Sequence, residues 1–235
     1  VEKSQRVLIG VGVGILMLGA TAAIAGPIIY RDFIAAPAAE APTLSASEGL
    51  MDSGKPLDPA ALAGSWRISD NSEAGYRVDE VLNGTDVTVT GRTDKVSGSF
   101  TIDETGLTLQ QTELTVDVAS ITTDSPQRDS YFRDQALRVD EHPAATFTLT
   151  QPVTLSSAPD SGDVVQAEAT GDLTIAGVTR DVTVAVEVRS DGTTAAIAGS
   201  IPITFADFGV TAPNLGFVSV EPTGFVEFQL TAARG

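Results

Sequence analysis

The sequence predicts an all-β fold, an antiparallel sheet closed into a barrel of about eight strands and interrupted by one short helix. Three observations carry that expectation. From Ser65 onward the apolar residues recur with period two, as in Val182, Val184, Val186 and Val188 alternating with Thr183, Ala185 and Glu187. Such runs return along the chain, near Tyr76 to Leu82, Asp86 to Thr90, Val96 to Ile102, Leu107 to Ser120, Phe147 to Leu149, Val164 to Ile175, Thr193 to Phe205 and Gly224 to Leu230. Turn residues punctuate them, with Asn83-Gly84 and Ala176-Gly177 each supplying the positive φ of a two-residue hairpin.

The order of the elements follows from phase. Between Leu107 and Ile121 the apolar residues occupy odd positions (Leu107, Leu109) and then even ones (Leu114, Val116, Val118), so one face holds both sets only if a residue is inserted. A bulge is expected near Gln110 to Thr112. The following stretch, TTDSPQRDSYFRDQALR, changes to helical logic: Asp124 or Ser125 caps, Pro126 suits the first turn, and Tyr131, Phe132 and Leu137 share an apolar stripe. That stripe is expected to cover one end of the barrel.

Two segments precede the barrel. Val7 to Tyr30 runs without a charge between Arg6 and Arg31, long enough to cross a bilayer as a helix, and residues 1–31 are read as an N-terminal membrane anchor. A signal-peptide core is shorter, about 7 to 15 residues. Residues 32–63, rich in Ala, Pro, Ser and Gly, read as a flexible linker, and residues 64–235 as the barrel domain. Lys3 and Arg6 lie before the span, so the N-terminus is expected in the cytoplasm and the barrel outside, on the extracytoplasmic side of the plasma membrane.

The chain of 235 residues has no Cys, one His and a net charge of −17. Residues 32 to 235 hold 11 Lys and Arg against 30 Asp and Glu. Such a surface repels phosphate backbones and anionic headgroups, which argues against nucleic-acid partners and against docking through a basic patch. Thiolate chemistry is excluded, and His142, held in Glu-His-Pro before a strand, is expected in a turn rather than in a catalytic pair. Asp124, Asp129, Asp134 and Asp140 lack the spacing of a calcium loop, so no metal and no cofactor is expected. The carboxylates are expected mostly at outward strand positions and turns, and no enzymatic role is predicted.

The stretch Gly171 to Arg180, GDLTIAGVTR, is a hairpin by physics alone. It also resembles the signature of the YceI-like family, polyisoprenoid-binding proteins with a lipocalin-like barrel. Three further segments resemble that family in order: SWRISDNSEAGYRV, ASITTDSPQRDSYFRDQALRVDEHPAATF and FADFGV. The resemblance covers about Gly64 to Ala233. This sequence departs from the family pattern at Tyr76, where Phe is usual, at Tyr131-Phe132 in place of His-Leu, and at Ala136 to Asp140 in place of a double-Phe run.

A barrel of this size either fills with its own side chains or keeps room for one small ligand. If open, its inward candidates are Val78, Phe100, Val116, Phe147, Leu149, Leu173, Ile175, Val184, Val186, Ile203, Phe205, Phe225 and Phe228, with Phe132, Phe208 and Phe217 at an entrance. The resemblance then implies an isoprenoid ligand, a quinone or carotenoid-like chain, for transport, storage or presentation. Burying such a chain contributes on the order of 10 kcal/mol at about 25 cal/mol per Å², before association costs. If filled, the alternative is a non-catalytic accessory subunit of a larger envelope or respiratory membrane complex, with the small residues of the span contacting other membrane subunits.

Overall fold

Residues 38–44 and 55–235 are described by the computed structural model; the apolar stretch from Val7 to Tyr30 lies outside them. Eleven strands form one antiparallel sheet: β1 (Gly64–Ile68), β2 (Glu73–Leu82), β3 (Thr85–Thr93), β4 (Val96–Ile102), β5 (Thr108–Asp117), β6 (Ala144–Leu149), β7 (Val153–Thr154), β8 (Val165–Ile175), β9 (Val178–Ser190), β10 (Thr194–Thr204) and β11 (Val218–Arg234).

Several of these are pieces of one longer strand. Both β1 and β2 run antiparallel to β11, at Trp66 to Ile68 and at Glu73 to Leu82 respectively. On their other side β4 pairs β1 and β3 pairs β2. Likewise β6 and β7 pair successive parts of β5. Merging these pieces leaves eight strands in an up-and-down meander, closed where the first meets the last through β1 and β11. Closure removes the edges that an open sheet would expose.

The expected bulge is present. Thr101 opposes Gln111 while Ile102 opposes Leu109, which leaves Gln110 as the inserted residue. The insertion brings Leu109 and Leu114 to the same inner face despite their opposite parity. A second irregularity falls between Val220 and Gly224 of β11, where Pro222 has no N–H to give to the ladder.

Helix α1 (Pro59–Leu62) closes one end of the barrel. Its N-cap Asp58 accepts from the Ala60 N–H, and Leu62 is buried beside Trp66, whose indole N–H donates to the Leu62 carbonyl at 2.8 Å. The other end carries α2 (Pro126–Tyr131), which continues as a π-helical turn over Phe132–Leu137. Ser125 is the cap, accepting from the Arg128 N–H, and Pro126 opens the first turn. Leu137 joins the cluster of Val118, Ile121, Leu173, Ile175 and Phe208 at that end.

Of the stretch 32–63 read as a flexible linker, residues 38–44 and 55–63 are described, and they bond to the barrel. Ala39 donates its N–H to Thr90 Oγ1 and accepts from the Arg77 guanidinium; the Leu44 N–H donates to Glu187 Oε2 at 2.8 Å, and Leu44 is buried. Residues 38–44 therefore lie along the outer wall, and residues 55–63 belong to the closed end, where the Leu57 N–H bonds the Pro159 carbonyl. Both stretches satisfy backbone groups on the barrel, which a solvated coil does not do.

Candidate functional site

Period-two alternation turns one side chain in two inward, and here the inward set leaves space. The lumen consists of two adjoining chambers that share Ala74, Val116, Ala145, Leu173 and Val226 in their walls. The chamber towards α1 has a volume of about 240 Å³ and is walled almost wholly by aliphatic and aromatic side chains. The chamber beneath α2 has about 550 Å³ and includes the mouth.

The space survives because aromatic rings lie along the wall instead of projecting across it. At four of the inward glycines, Gly91, Gly171, Gly199 and Gly224, a ring fills the vacant place. A Cβ at these would collide with the rings of Tyr76, Phe147, Phe228 and Phe205 in turn. Each ring thus occupies the place of a missing side chain, and its bulk adds to the wall.

The sequence-predicted residues divide between the chambers. Phe100, Phe147, Leu149, Val184, Val186 and Phe228 line the closed chamber. Val78, Phe132, Ile175, Ile203, Phe205, Phe208 and Phe217 line the mouth chamber, and Val116 and Leu173 line both. Phe225 is the exception. Val226 and Phe228 set the inward parity of β11, so Phe225 faces outward, 42% exposed, beside Pro202 and Arg180. Phe225 and Phe228 have opposite parity and no bulge separates them, so only one of the two can enter the lumen.

At the closed end Trp66 stacks on Phe100, centroids 5.8 Å apart and planes 6° from parallel. At the mouth Leu215 and Phe217 are more than half exposed, an apolar rim on an otherwise acidic protein. An aliphatic chain entering there meets mostly apolar surface from rim to floor.

Polar groups concentrate in the mouth chamber, and sequence reasoning missed them. Glu80 shares the inward parity of Val78 and Leu82 on β2; it is buried and pairs with Arg128 of α2 at 3.0 Å. Arg128 also holds Asp124 at 2.6 Å. Burial alone would ease the proton off Arg128, but its acidic neighbours, Glu80 foremost and Asp124 with it, together outweigh burial and hold the guanidinium charged. Behind them Asp129 is buried, accepting from the Thr123 N–H and hydroxyl at 2.9 and 2.7 Å. Tyr76 stacks on Phe132, centroids 4.8 Å apart, and burial pushes its phenol well above the usual tyrosine value. The parity of Glu80 within Tyr76 to Leu82 was the available signal; for Tyr76 it was the departure from Phe.

A third buried carboxylate lies on the outer wall. Glu227 is bound by Arg77 at 2.7 Å and by Arg92, beneath residues 40–43. Glu80 departs from the expectation that carboxylates sit mostly at outward strand positions and turns, because it points inward and α2 covers it; Glu227 holds an outward position on β11 and is buried there by its arginine partners and residues 40–43.

Among curated proteins none matches this chain. Among solved structures, a domain from Saccharophagus degradans described as a polyisoprenoid binding domain implicated in plant cell wall breakdown superposes with a TM-score of 0.57 at 17% identity, over 72% of this chain and 98% of its own. BcnA from Burkholderia cenocepacia superposes with a TM-score of 0.52 at 23% identity, over 66% of this chain and 95% of its own. At these identities they show the shared barrel. The model of the YceI-like domain matches residues 66–232. That match begins at Trp66 on the floor of the lumen and ends at Ala232 on the closing strand, so it takes in the entire meander, and the chain belongs to the YceI-like domain family.

Proposed function

We propose that this protein is a membrane-anchored carrier that holds the chain of an isoprenoid lipid in its lumen, on the extracytoplasmic side of the membrane, without transforming it. The observation that carries this reading is the open lumen itself, predominantly apolar from the Leu215 and Phe217 rim to the Trp66 and Phe100 floor and kept open by rings laid over inward glycines. A related barrel from Saccharophagus degradans is described as polyisoprenoid binding, which supports the choice of ligand. The uncharged stretch from Val7 to Tyr30 supports the anchor, and the lysine and arginine before it support the orientation.

The accessory-subunit alternative drew its force from a filled core, and two chambers of this size favour the carrier. The test is native mass spectrometry of the full chain after exhaustive detergent exchange, with organic extraction of whatever it retains. One isoprenoid lipid per chain is expected. A chain that retains nothing, or only the bulk glycerophospholipids of its host, contradicts the reading.

A further inference from the structure

The strap formed by residues 38–44 has a direction along the barrel. Ala39, at its start, is held by Thr90 and Arg77, and the neighbours of Arg77 on β2, Tyr76 and Val78, line the mouth chamber. Leu44, at its end, donates to Glu187, whose neighbours on β9, Val186 and Val188, line the closed chamber. The chain therefore reaches the wall on the mouth side and runs from there towards the floor.

In the carrier reading the uncharged stretch ends at the bilayer surface, and Arg31 is eight residues from Ala39, at most about 28 Å of extended chain. From Arg77 to Leu82 at the rim is about 17 Å of strand, whereas from Phe225, opposite Arg77, to Arg234, opposite Trp66, is about 30 Å. With the mouth towards the bilayer, the chain meets the start of the strap on its way along the wall. With the floor towards the bilayer, it would use most of its reach climbing to Ala39, and the strap would then turn back the way it came.

The rim at the mouth end has the surface such a placement needs. Residues 214–219 form a turn, with Asn214 bridging Ser219 and the Leu215 N–H donating to the Val218 carbonyl, and the Asn83 N–H fixes it by donating to the Phe217 carbonyl at 2.7 Å. Leu215 and Phe217 on this turn are more than half exposed, and no charged residue occurs from Phe208 to Val220. We propose that the mouth docks on the surface of the membrane that holds this chain's own apolar stretch, with Leu215 and Phe217 in its interface, so that a lipid chain passes between bilayer and lumen without crossing water. One Leu and one Phe add little affinity to a free protein, but a tethered barrel is already at high effective concentration beside the bilayer.

The inference rests on the anchor in the carrier reading, and the experiment separates the two. The chain has no Cys, so Leu215→Cys at the rim and Val164→Cys at the floor end each give a single attachment point for an environment-sensitive fluorophore. Val164 is also exposed and adjoins Val165 of the closed chamber. The labelled full chains are reconstituted into phosphatidylcholine vesicles, with and without a lipid that carries a quencher near its headgroup. Both chains are expected to float with the vesicles; the label at Leu215 shifts to the blue and loses most of its emission to the quencher, while the label at Val164 keeps its emission. Equal quenching at the two positions, or greater quenching at Val164, overturns the docking and leaves the anchored carrier intact. A Leu215 label shielded from water yet unquenched, as when a second copy covers the rim, does the same. Chains that do not float with the vesicles overturn the anchor and this inference with it.

Discussion

Trp66 and Phe100, opposite one another on β1 and β4, form a parallel stack across the floor of the barrel, and the Trp66 indole N–H is satisfied by the carbonyl of Leu62 in the helix beneath. One side chain thus joins the sheet, the lumen and the closing helix. Trp66→Ala is expected to cost about 3–5 kcal/mol in denaturant unfolding, the range for emptying a large aromatic site. Trp66→Phe keeps the stack and loses the hydrogen bond, for about 1 kcal/mol.

The rings laid over glycines make a prediction about function at little cost in fold. Gly199→Ala places a methyl where the Phe228 ring lies and drives the ring into the closed chamber. Destabilisation of about 1–3 kcal/mol is expected from the strain. Lipid retained per chain should fall together with it, whereas Phe225→Ala on the outer wall should leave retention unchanged.

Thr112 turns inward just after the Gln110 bulge, and its buried hydroxyl has no hydrogen-bond partner among the described residues. Replacing an unsatisfied hydroxyl by a methyl of the same shape removes a desolvation penalty. Thr112→Val is expected to stabilise the barrel by about 1 kcal/mol, read as a rise in thermal midpoint.

On the outer wall Glu227 is nearly fully buried between Arg77 and Arg92. Glu227→Gln takes the carboxylate from Arg77 and leaves Arg92 only Glu73, at 3.4 Å, and about 3 kcal/mol of destabilisation is expected. Because Arg77 also holds the Ala39 carbonyl, the variant should become cleavable by protease within residues 38–44 before the barrel unfolds. Equal protease resistance in both proteins would show that the cluster does not hold that segment.

Asp191, in the turn between β9 and β10, is the clearest source of pH dependence. Burial pushes its carboxyl up, but the N–H groups and hydroxyls of Thr193 and Thr194 outweigh burial, and its pKa lies below the ordinary value. A depressed folded pKa means that the stabilisation is full above the unfolded value, about pH 4, and is lost as pH falls through the folded one. The stability difference between the protein and Asp191→Asn should therefore be constant at neutral pH and shrink on acidification.

Much of this architecture was legible because period two is a strong signal when the partner strands are also regular. The phase change across Leu107 to Ile121 located the bulge at Gln110, and Ser125-Pro126 located the start of α2. Phe225 was misplaced because hydrophobicity was read ahead of parity; Val226 and Phe228 settle the face of β11. The burial of Glu80 and Glu227 was missed because it comes from elements far away in sequence, Arg128 on α2 for one and residues 40–43 for the other. The docking of residues 38–44 was illegible for a related reason, since its bonds are made by backbone groups that carry no sequence pattern.

The most direct test is an experimental structure of the full chain after incubation with a polyprenyl lipid. The account predicts continuous density for one chain, entering between Phe132 and Phe217, passing Val116 and Leu173, and ending above the Trp66 and Phe100 stack. An unchanged, empty lumen under saturating lipid, or lipid confined to the outside of the barrel, would contradict it.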